Sequence, residues 1–336
     1  MLITTMTAPV LQDLVKKSFD KGLKHRKGGD VRRLFHPMSC DWSVDRKRIQ
    51  ELDRERFAEQ KAQGAPSVQR SFAQGYYKEI VRKTVSVTRV VSGEQYKALT
   101  AHGLVSMVMN TATDVVDKIE LDMRNFIGMG DAVSYTDNGG YTINTTTGDG
   151  LAIFQAAHTL KHSATTYSNI LAGAPTFSED SMEDAEDYFN YNVYDNYGQR
   201  VDMKPNTIIT SPKATMVHRV ARLLGSSAPE AINTTANANS GVKNVYQNKG
   251  FQHLVIDFDV DAKNVPDSGK SFYWYLARLG GSPESSFQAY YVRWMSPMVA
   301  PAEINQDKWV LSYTARSAYG LGAVNGKGML LVKATS

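Results

Sequence analysis

Two histidines, His158 and His162, have a spacing that could bind a metal ion. On a helix, their HxxxH spacing would put both imidazoles on one face, where zinc could bind. The chain lacks the glutamate that follows the first histidine of an HExxH metalloprotease motif. We therefore favour two polar residues at the rim of a loop. A metal hydrolase remains a distant alternative, which stoichiometric bound zinc would support.

Cys40 is a second candidate, because a thiol beside His36 could act as a nucleophile. A lone cysteine in a basic segment is more typical of an unpaired thiol. As the only cysteine among 336 residues, it excludes internal disulfides and multi-thiolate metal sites, and it favours synthesis in a reducing cytoplasm.

Four carboxylates crowd one predicted helix, and like charges at this spacing are typical of a solvated face rather than an acid–base pair. They are Glu183, Asp184, Glu186 and Asp187. The sequence holds no Walker-type phosphate loop, no GxGxxG after a strand and no GxSxG elbow. We predict no catalytic residue, no cofactor and no metal, and hence a protein that is not an enzyme.

Basic residues form the clearest chemical signal in the chain. Residues 1–90 hold 19 Lys and Arg against 10 Asp and Glu, a balance of +9, whereas the rest of the chain has a balance of −5. This asymmetry indicates a segment that meets an acidic partner, either nucleic acid or another copy of the chain. The candidate contact residues are Lys24, Arg26, Lys27, Arg46, Lys47, Arg48, Arg70, Lys78, Arg82 and Lys83.

The elements that carry these residues follow from periodicity. Apolar spacing predicts a helix over residues 9–23, followed by an irregular basic segment over 24–43. Residues 44–63 are dense in charge with a thin apolar stripe, which predicts at most a weak, exposed helix. From residue 67 to 91, valines alternate with polar residues, which predicts an extended, basic, two-stranded excursion that is not stable alone.

The most regular pattern in the chain predicts a helix over residues 92–128. Ser92 and Gln95 form a capping box, and apolar residues then recur at helical spacing until Gly128. At the rise of an α-helix this segment would be about 50 Å long, which exceeds the diameter of a small domain. We therefore predict a spine helix along an elongated body.

The remaining sequence predicts shorter elements. Residues 129–175 are rich in turns, and a helix then starts at Thr176 or Ser178 and ends near Gly198. A strand over 207–210 precedes a helix that starts at Ser211-Pro212 and ends at Leu224 and Gly225. Residues 226–244 are polar and of low complexity, which indicates a mobile loop. Further strands are predicted over residues 251–260, 271–277, 287–295, 309–319 and 328–334.

The predicted elements indicate an assembly protein rather than a lone monomer. A basic arm and an unpaired ribbon leave open edges, which natural proteins normally cover. We expect a neighbouring subunit to cover these edges. No apolar run is long enough to span a membrane, and the first residues do not match a secretory signal.

Three stretches resemble segments of the major capsid proteins of tailed phages. They are GDGLAIFQAAHTLKHSATTYSNIL at 148–171, FSEDSMEDAEDYFNYNVYDNYGQRVDMKPNTIITSP at 177–212 and YTARSAYGLGAVNGKGMLLVKA at 313–334. Together with the order of the predicted elements, these stretches make the chain resemble an α+β protein of the Hong Kong 97-type fold. The resemblance is closest to the capsid subunits of Mu-like phages. The resemblance spans roughly residues 90–335. The N-terminal arm resembles the family only in being basic, and it contains no matching motif.

The resemblance implies a division of the chain. Residues 1–63 would form the N-terminal arm, 64–91 the extended β loop and 92–128 the spine helix. Residues 129–206 and 308–336 would form the peripheral domain, with His158 and Asn169 as structural positions, and 207–307 the axial domain. A family crosslink between lysine and asparagine is not expected, since no motif surrounds the available residues, Lys78, Lys83, Asn305 and Asn325.

The resemblance also implies the function and partners. Subunits would assemble into hexamers and pentamers of an icosahedral virion shell around double-stranded DNA, inside the bacterial cytoplasm. Implied partners are other copies, a separate scaffolding protein, a portal, a decoration protein, and DNA contacted without sequence specificity, with no membrane. The alternatives are an encapsulin-like protein compartment and a DNA-binding protein that uses the basic arm.

Overall fold

The structure is a computed structural model that describes residues 8–25, 29–53, 73–137, 139–171, 173, 177–225, 246–258, 270, 272–280, 286–300, 303–305 and 310–334. Its helices are α1 (Ala8–His25), α2 (Gly93–Ala98), α3 (Ala101–Gly128), α4 (Glu179–Tyr191) and α5 (Ala214–Gly225). Short 3-10 helices occupy Asp30–Leu34 and Tyr246–Asn248.

The strands of the first half are mostly short. They are β1 (Phe35–Ser39), β2 (Arg46–Asp53), β3 (Ala73–Val81), β4 (Lys83–Val91), β5 (Ser134–Thr136), β6 (Thr142–Asn144), β7 (His158–Leu160), β8 (Ser163–Tyr167) and β9 (Ile170–Leu171). The later strands are β10 (Thr207–Thr210), β11 (Gln252–Val255), β12 (Trp274–Ala277), β13 (Ala289–Val299), β14 (Glu303–Asn305), β15 (Val310–Ala323) and β16 (Met329–Val332). The predicted α+β class is confirmed by this mixture.

Two five-stranded sheets organise the described residues. One has the order β1-β13-β15-β14, with β4 paired to β15, and the other has the order β11-β10-β12-β16-β9. The pairs β2–β3, β5–β6 and β7–β8 each form a separate two-stranded sheet. Because β3 and β4 follow each other along the chain, the β2–β3 pair is joined directly to the edge of the first sheet.

The long central helix is confirmed, but it begins later than predicted. Ser92 and Gln95 do exchange hydrogen bonds, yet they cap the short helix α2. Helix α3 starts at Ala101, and the side chain of its N-cap residue Thr100 accepts a hydrogen bond from the backbone of Gly103. With 28 residues, α3 is about 42 Å long rather than 50 Å.

Helix α1 confirms the predicted amphipathic segment and packs on α3 of its own chain. Its apolar side chains Leu11, Val15 and Phe19 are each only 1% exposed within the main core. The close approach requires Gly22, because a Cβ there would lie 2.8 Å from the carbonyl oxygen of Met109. The described part of the predicted arm is therefore folded against the body of the same subunit.

The prediction of a weak helix over 44–63 is wrong for its described part, because residues 46–53 form strand β2. Strand β2 pairs antiparallel with β3, and Ile49 enters a small core with Ile80, Val292 and Trp294. Residues 24–43, expected to be irregular, contain the first 3-10 helix and β1, which pairs parallel with β13. Residues 54–63 lie outside the described residues.

The two-stranded excursion exists, but its strands differ from those predicted. Strands β3 and β4 do not pair with each other, since β3 pairs with β2 and β4 pairs with β15. The ribbon is therefore built from β2 and β3, and we call it the β2–β3 ribbon. The proposed division of the chain into arm, loop, spine, peripheral and axial domains stays a prediction.

The later elements agree with most of the predictions. Ser178 caps α4 with a capping box, although the helix ends at Tyr191 rather than near Gly198. Helix α5 begins at Ala214, later than the predicted start at Ser211-Pro212. The strands predicted from residue 207 onward are present as β10, β11, β12, β13, β15 and β16, whereas β14 was not predicted. The predicted loop at 226–244 lies outside the described residues.

Candidate interaction surface

The β2–β3 ribbon presents basic and aromatic side chains together. Arg46 lies 3.5 Å from the Glu79 carboxylate across the ribbon. The guanidinium of Arg48 lies 3.8 Å from the centre of the Tyr77 ring, and the Tyr77 side chain is 43% exposed. Such stacking holds an arginine in place while its edge stays available for hydrogen bonds.

At the base of the ribbon, Arg82 organises an exposed aromatic site. Its guanidinium lies 4.1 Å from the centre of the Trp42 ring, 2.5 Å from the Asp45 carboxylate and 2.7 Å from the Trp42 carbonyl oxygen. Trp42, Val44 and Val81 remain about half exposed. Clustered large apolar side chains at the surface commonly mark a site of protein contact.

Polar contacts fix the far end of β2 to the body. Asn196 donates hydrogen bonds to Glu51 at 3.0 Å and to Asp53 at 2.7 Å. Asp53 also lies 3.2 Å from the His162 imidazole, and Glu51 accepts a hydrogen bond from Asn325. These contacts tie the ribbon to three loops that are distant in sequence.

A buried charge network fixes the start of β4 to the central helix. Lys83 Nζ lies 2.9 Å from Asp122 and 2.8 Å from Asp137, and both carboxylate side chains are 1% exposed. Lys118 lies 2.7 Å from Asp122, whose other oxygen accepts a hydrogen bond from Tyr319. We call Lys83, Lys118, Asp122 and Asp137 the buried charge network.

The charges of this network shift the pKa of its members. Burial acts to lower the pKa of Lys83, but the charges and hydrogen bonds of Asp122 and Asp137 outweigh it and raise the pKa. Burial acts to raise the pKa of Asp137. The hydrogen bonds from Lys83 and the Tyr141 backbone, with the charges of Lys83 and Lys118, outweigh this and lower that pKa to about 2.

A cleft of about 570 Å³ lies between the ribbon base, the β5–β6 pair and β15. Its walls include Val81, Tyr141, Ile143 and Leu321, and Lys78 reaches it from β3. The Lys78 amine donates hydrogen bonds to Asn144 Oδ1 and Thr146 Oγ1. Burial lowers the pKa of Lys78 to about 8, while the charge of Asp149 acts in the opposite direction.

The structure brings some of the predicted contact residues together. Six of them lie on the ribbon or at its base, namely Arg46, Lys47, Arg48, Lys78, Arg82 and Lys83. Lys24 lies exposed near the end of α1. Arg26, Lys27 and Arg70 lie outside the described residues. Lys83 differs from the expectation, because its amine is bound by two carboxylates of its own chain.

The candidate catalytic residues occupy other settings. His158 is a buried residue of β7, with Nδ1 2.8 Å from Asp149, and His162 follows in the β7–β8 turn, so the two do not share a helix face. His158 and Asn169 both make buried hydrogen bonds to the carbonyl oxygen of Ile153. His36 and Cys40 are separated by an extended strand, about 13 Å between Cα atoms.

The four clustered carboxylates of α4 lie on a solvated face, as the sequence predicts, with one exception. Glu183, Asp184 and Asp187 are exposed on α4, whereas Glu186 lies 2.6 Å from the Lys249 amine. Within the described ranges, no group of three or more His, Cys, Asp or Glu side chains could hold a metal ion. No helix in the described part of the chain is long and apolar enough to cross a membrane.

Sequence reasoning missed the partners of Lys83. Lys118 and Asp122 show the spacing of an ion pair along a helix, which was the one local signal. Asp137 reaches Lys83 from a turn, and Tyr319 reaches Asp122 from β15. Both residues are far along the chain from their partners, so no sequence pattern indicates these contacts. Trp42 was also missed, because an isolated tryptophan in a segment expected to be irregular does not indicate its surroundings.

No known family model and no curated protein sequence matches this chain. Solved structures do resemble it. A structure from Microbacterium phage Oxtober96 has 10% identity and a TM-score of 0.49, over 92% of this chain and 91% of that chain. The capsid of the native GTA particle has 11% identity and a TM-score of 0.49, over 93% and 91%. A virus-like particle from Pyrococcus furiosus has 11% identity and a TM-score of 0.45, over 95% and 98%.

Proposed function

We propose that this chain is a phage capsid subunit of the Hong Kong 97-type fold. It assembles into hexamers and pentamers of an icosahedral shell that encloses double-stranded DNA. The observation that carries the proposal is the β2–β3 ribbon, which is anchored firmly at its base while Trp42, Tyr77 and Val81 stay exposed. Among the described strands, β2 pairs only with β3, which leaves an edge for another chain.

The charge distribution supports contact between copies. The ribbon carries Arg46, Lys47 and Arg48, and α4 exposes Glu183, Asp184 and Asp187. Surfaces of opposite sign speed association and set its register. Many modest contacts, repeated around a closed symmetric shell, give a stable particle without a covalent bond between subunits.

The other partners follow from this role. A separate scaffolding protein would guide assembly in the bacterial cytoplasm, a portal would occupy one vertex, and a decoration protein would bind the outer surface. Packaged DNA would meet the inner surface without sequence recognition. The subunit would act as a structural protein of the virion rather than as an enzyme.

Charge reversal tests the proposed contacts. The variant replaces Lys24, Arg26, Lys27, Arg46, Lys47 and Arg48 with glutamate, and we expect no closed particles by electron microscopy, with an unchanged circular dichroism spectrum. The matched control exchanges lysine and arginine at the same positions, which keeps the charge, and should assemble. Intact shells from the glutamate variant would contradict the proposed role of these charges.

A further inference from the structure

Lys78 differs from its neighbour Lys83 in the groups that its amine contacts. Lys78 Nζ lies 3.2 Å from Asn144 Oδ1 and 2.7 Å from Thr146 Oγ1, and both acceptors are neutral. Lys83 is held by two carboxylates instead. Neutral oxygens do not compensate the charge of a half-buried ammonium, so the neutral form of Lys78 is more populated than that of a solvated lysine.

The charged groups around Lys78 are engaged elsewhere or act only weakly on it. Glu79 and Arg82 on the same segment pair with Arg46 and Asp45, and Asp122 on α3 pairs with Lys83 and Lys118. Asp149 raises the pKa of Lys78, but burial has the larger effect and the resulting value is about 8. About 10% of such a lysine is neutral at pH 7, against about 0.03% at the ordinary value.

The cleft gives this amine access to small molecules. Its volume of about 570 Å³ can hold a compound of a few atoms with room for water. The walls combine apolar groups, Val81, Ile143 and Leu321, with the Tyr141 ring. A half-buried amine in such a cleft can react with a small electrophile, whereas the cleft walls exclude a large one.

We propose that Lys78 is a covalent modification site, whose amine accepts the acyl group of a small acyl phosphate entering the cleft. The nitrogen lone pair attacks the carbonyl carbon, and a C–N bond forms. The bond from that carbon to the phosphate oxygen breaks, and phosphate leaves with the electron pair. The nitrogen then loses one proton to water, which leaves a neutral amide.

The modification is independent of the proposed assembly, because it needs only the cleft of one subunit. Acylation of Lys78 removes one positive charge from strand β3, and the acyl group fills part of the cleft. The full-length protein, in whichever assembly state it is purified, is therefore the correct sample.

Acetyl phosphate is the probe, with peptide mass spectrometry to follow each lysine over time. At pH 7 we expect Lys78 to be acetylated about ten times faster than the exposed Lys24, since the gain in neutral amine exceeds the loss in nucleophilicity. The rate at Lys78 should level off above about pH 8, as the amine becomes fully neutral. A rate at Lys78 equal to or below that of Lys24 would overturn the proposal.

Two variants separate the chemistry from simple exposure. Asn144→Asp keeps the acceptor oxygen but places a carboxylate 3.2 Å from the amine, and acetylation of Lys78 at pH 7 should fall about tenfold. Thr146→Val removes an acceptor of the ammonium, and acetylation should be equal or faster. Acetylation that stays unchanged in a folded Asn144→Asp protein would also overturn the proposal.

Discussion

Lys83 neutralises two carboxylates that are almost completely buried, and it therefore contributes strongly to stability. In Lys83→Met the charges of Asp122 and Asp137 would be left to Lys118 alone. Breaking one side of a buried ion pair costs about 3 kcal/mol or more. We expect the free energy of unfolding, measured by urea denaturation, to fall by about 3 kcal/mol.

The matched control for this substitution lies on the same strand. Arg89 pairs with Asp114 at 2.6 Å, but the two side chains are 51% and 44% exposed. Exposed pairs contribute about 1 kcal/mol or less, so Arg89→Met should change stability little. Equal losses in the two variants would contradict the role assigned to the buried charge network.

The same network predicts a loss of stability in acid. Asp137 has a pKa of about 2 in the folded protein, below the value of about 3.9 expected in the unfolded chain. Its contribution, about 2.6 kcal/mol, is therefore present above pH 4 and is lost as the pH falls through 2. Urea denaturation at a series of pH values measures this slope. In Asp137→Asn the total decrease in the free energy of unfolding over this pH range should be smaller by that amount, and an unchanged decrease would contradict the assignment.

At the scale of elements, glycines in β15 let the ribbon lie close to the first sheet. A Cβ on Gly320 would lie 2.6 Å from both Ile80 Cγ2 and the Val81 carbonyl oxygen. Gly320→Ala must therefore displace β3, at a cost of about 1–3 kcal/mol. We expect faster hydrogen exchange at the amides of β2 and β3, with little change in β10 and β12.

The control for this prediction is Gly225→Ala at the end of α5, where an added Cβ meets no atom of the described residues within 4 Å. That variant should leave the exchange of β2 and β3 unchanged. If Gly320→Ala also leaves it unchanged, the ribbon is not held by its contact with β15.

The elements that were predictable from sequence are those whose signal is local. Helix α3 shows one apolar face over about eight turns, and the Ser178 cap of α4 is a local motif. The sequence of strand β2 predicts a weak helix because Ile49 enters a core while Arg46 and Arg48 are exposed, and so sparse an apolar pattern does not define a period of two. The pairing partner that makes it a strand lies beyond a long connection, and pairing at that distance has no sequence signature.

The candidate surface was predictable only where its residues are close together in the sequence. The concentration of positive charge singled out Arg46, Lys47 and Arg48, which the structure places on strand β2. That these residues contact another subunit stays a prediction. Charge alone could not tell an exposed arginine from Lys83, whose partners come from α3 and from a turn. The neutral surroundings of Lys78 also depend on a loop from another part of the chain.

At the scale of the whole molecule, the fold combines a firmly packed body with a ribbon whose strand β2 pairs, among the described strands, only with β3. Helix α1, α3 and the first sheet share one core, and a second core lies under α4 and α5. The ribbon base has little apolar burial beyond Ile49 and Ile80. This division of packing is expected for a subunit whose remaining contacts come from neighbours.

The most direct measurement of the central claim is the assembly state of the purified protein. We would image it by negative-stain electron microscopy and measure its sedimentation velocity, alone and with a scaffolding protein. The account predicts closed shells, tubes, or five- and six-fold rings. A monodisperse monomer or dimer under both conditions would contradict it.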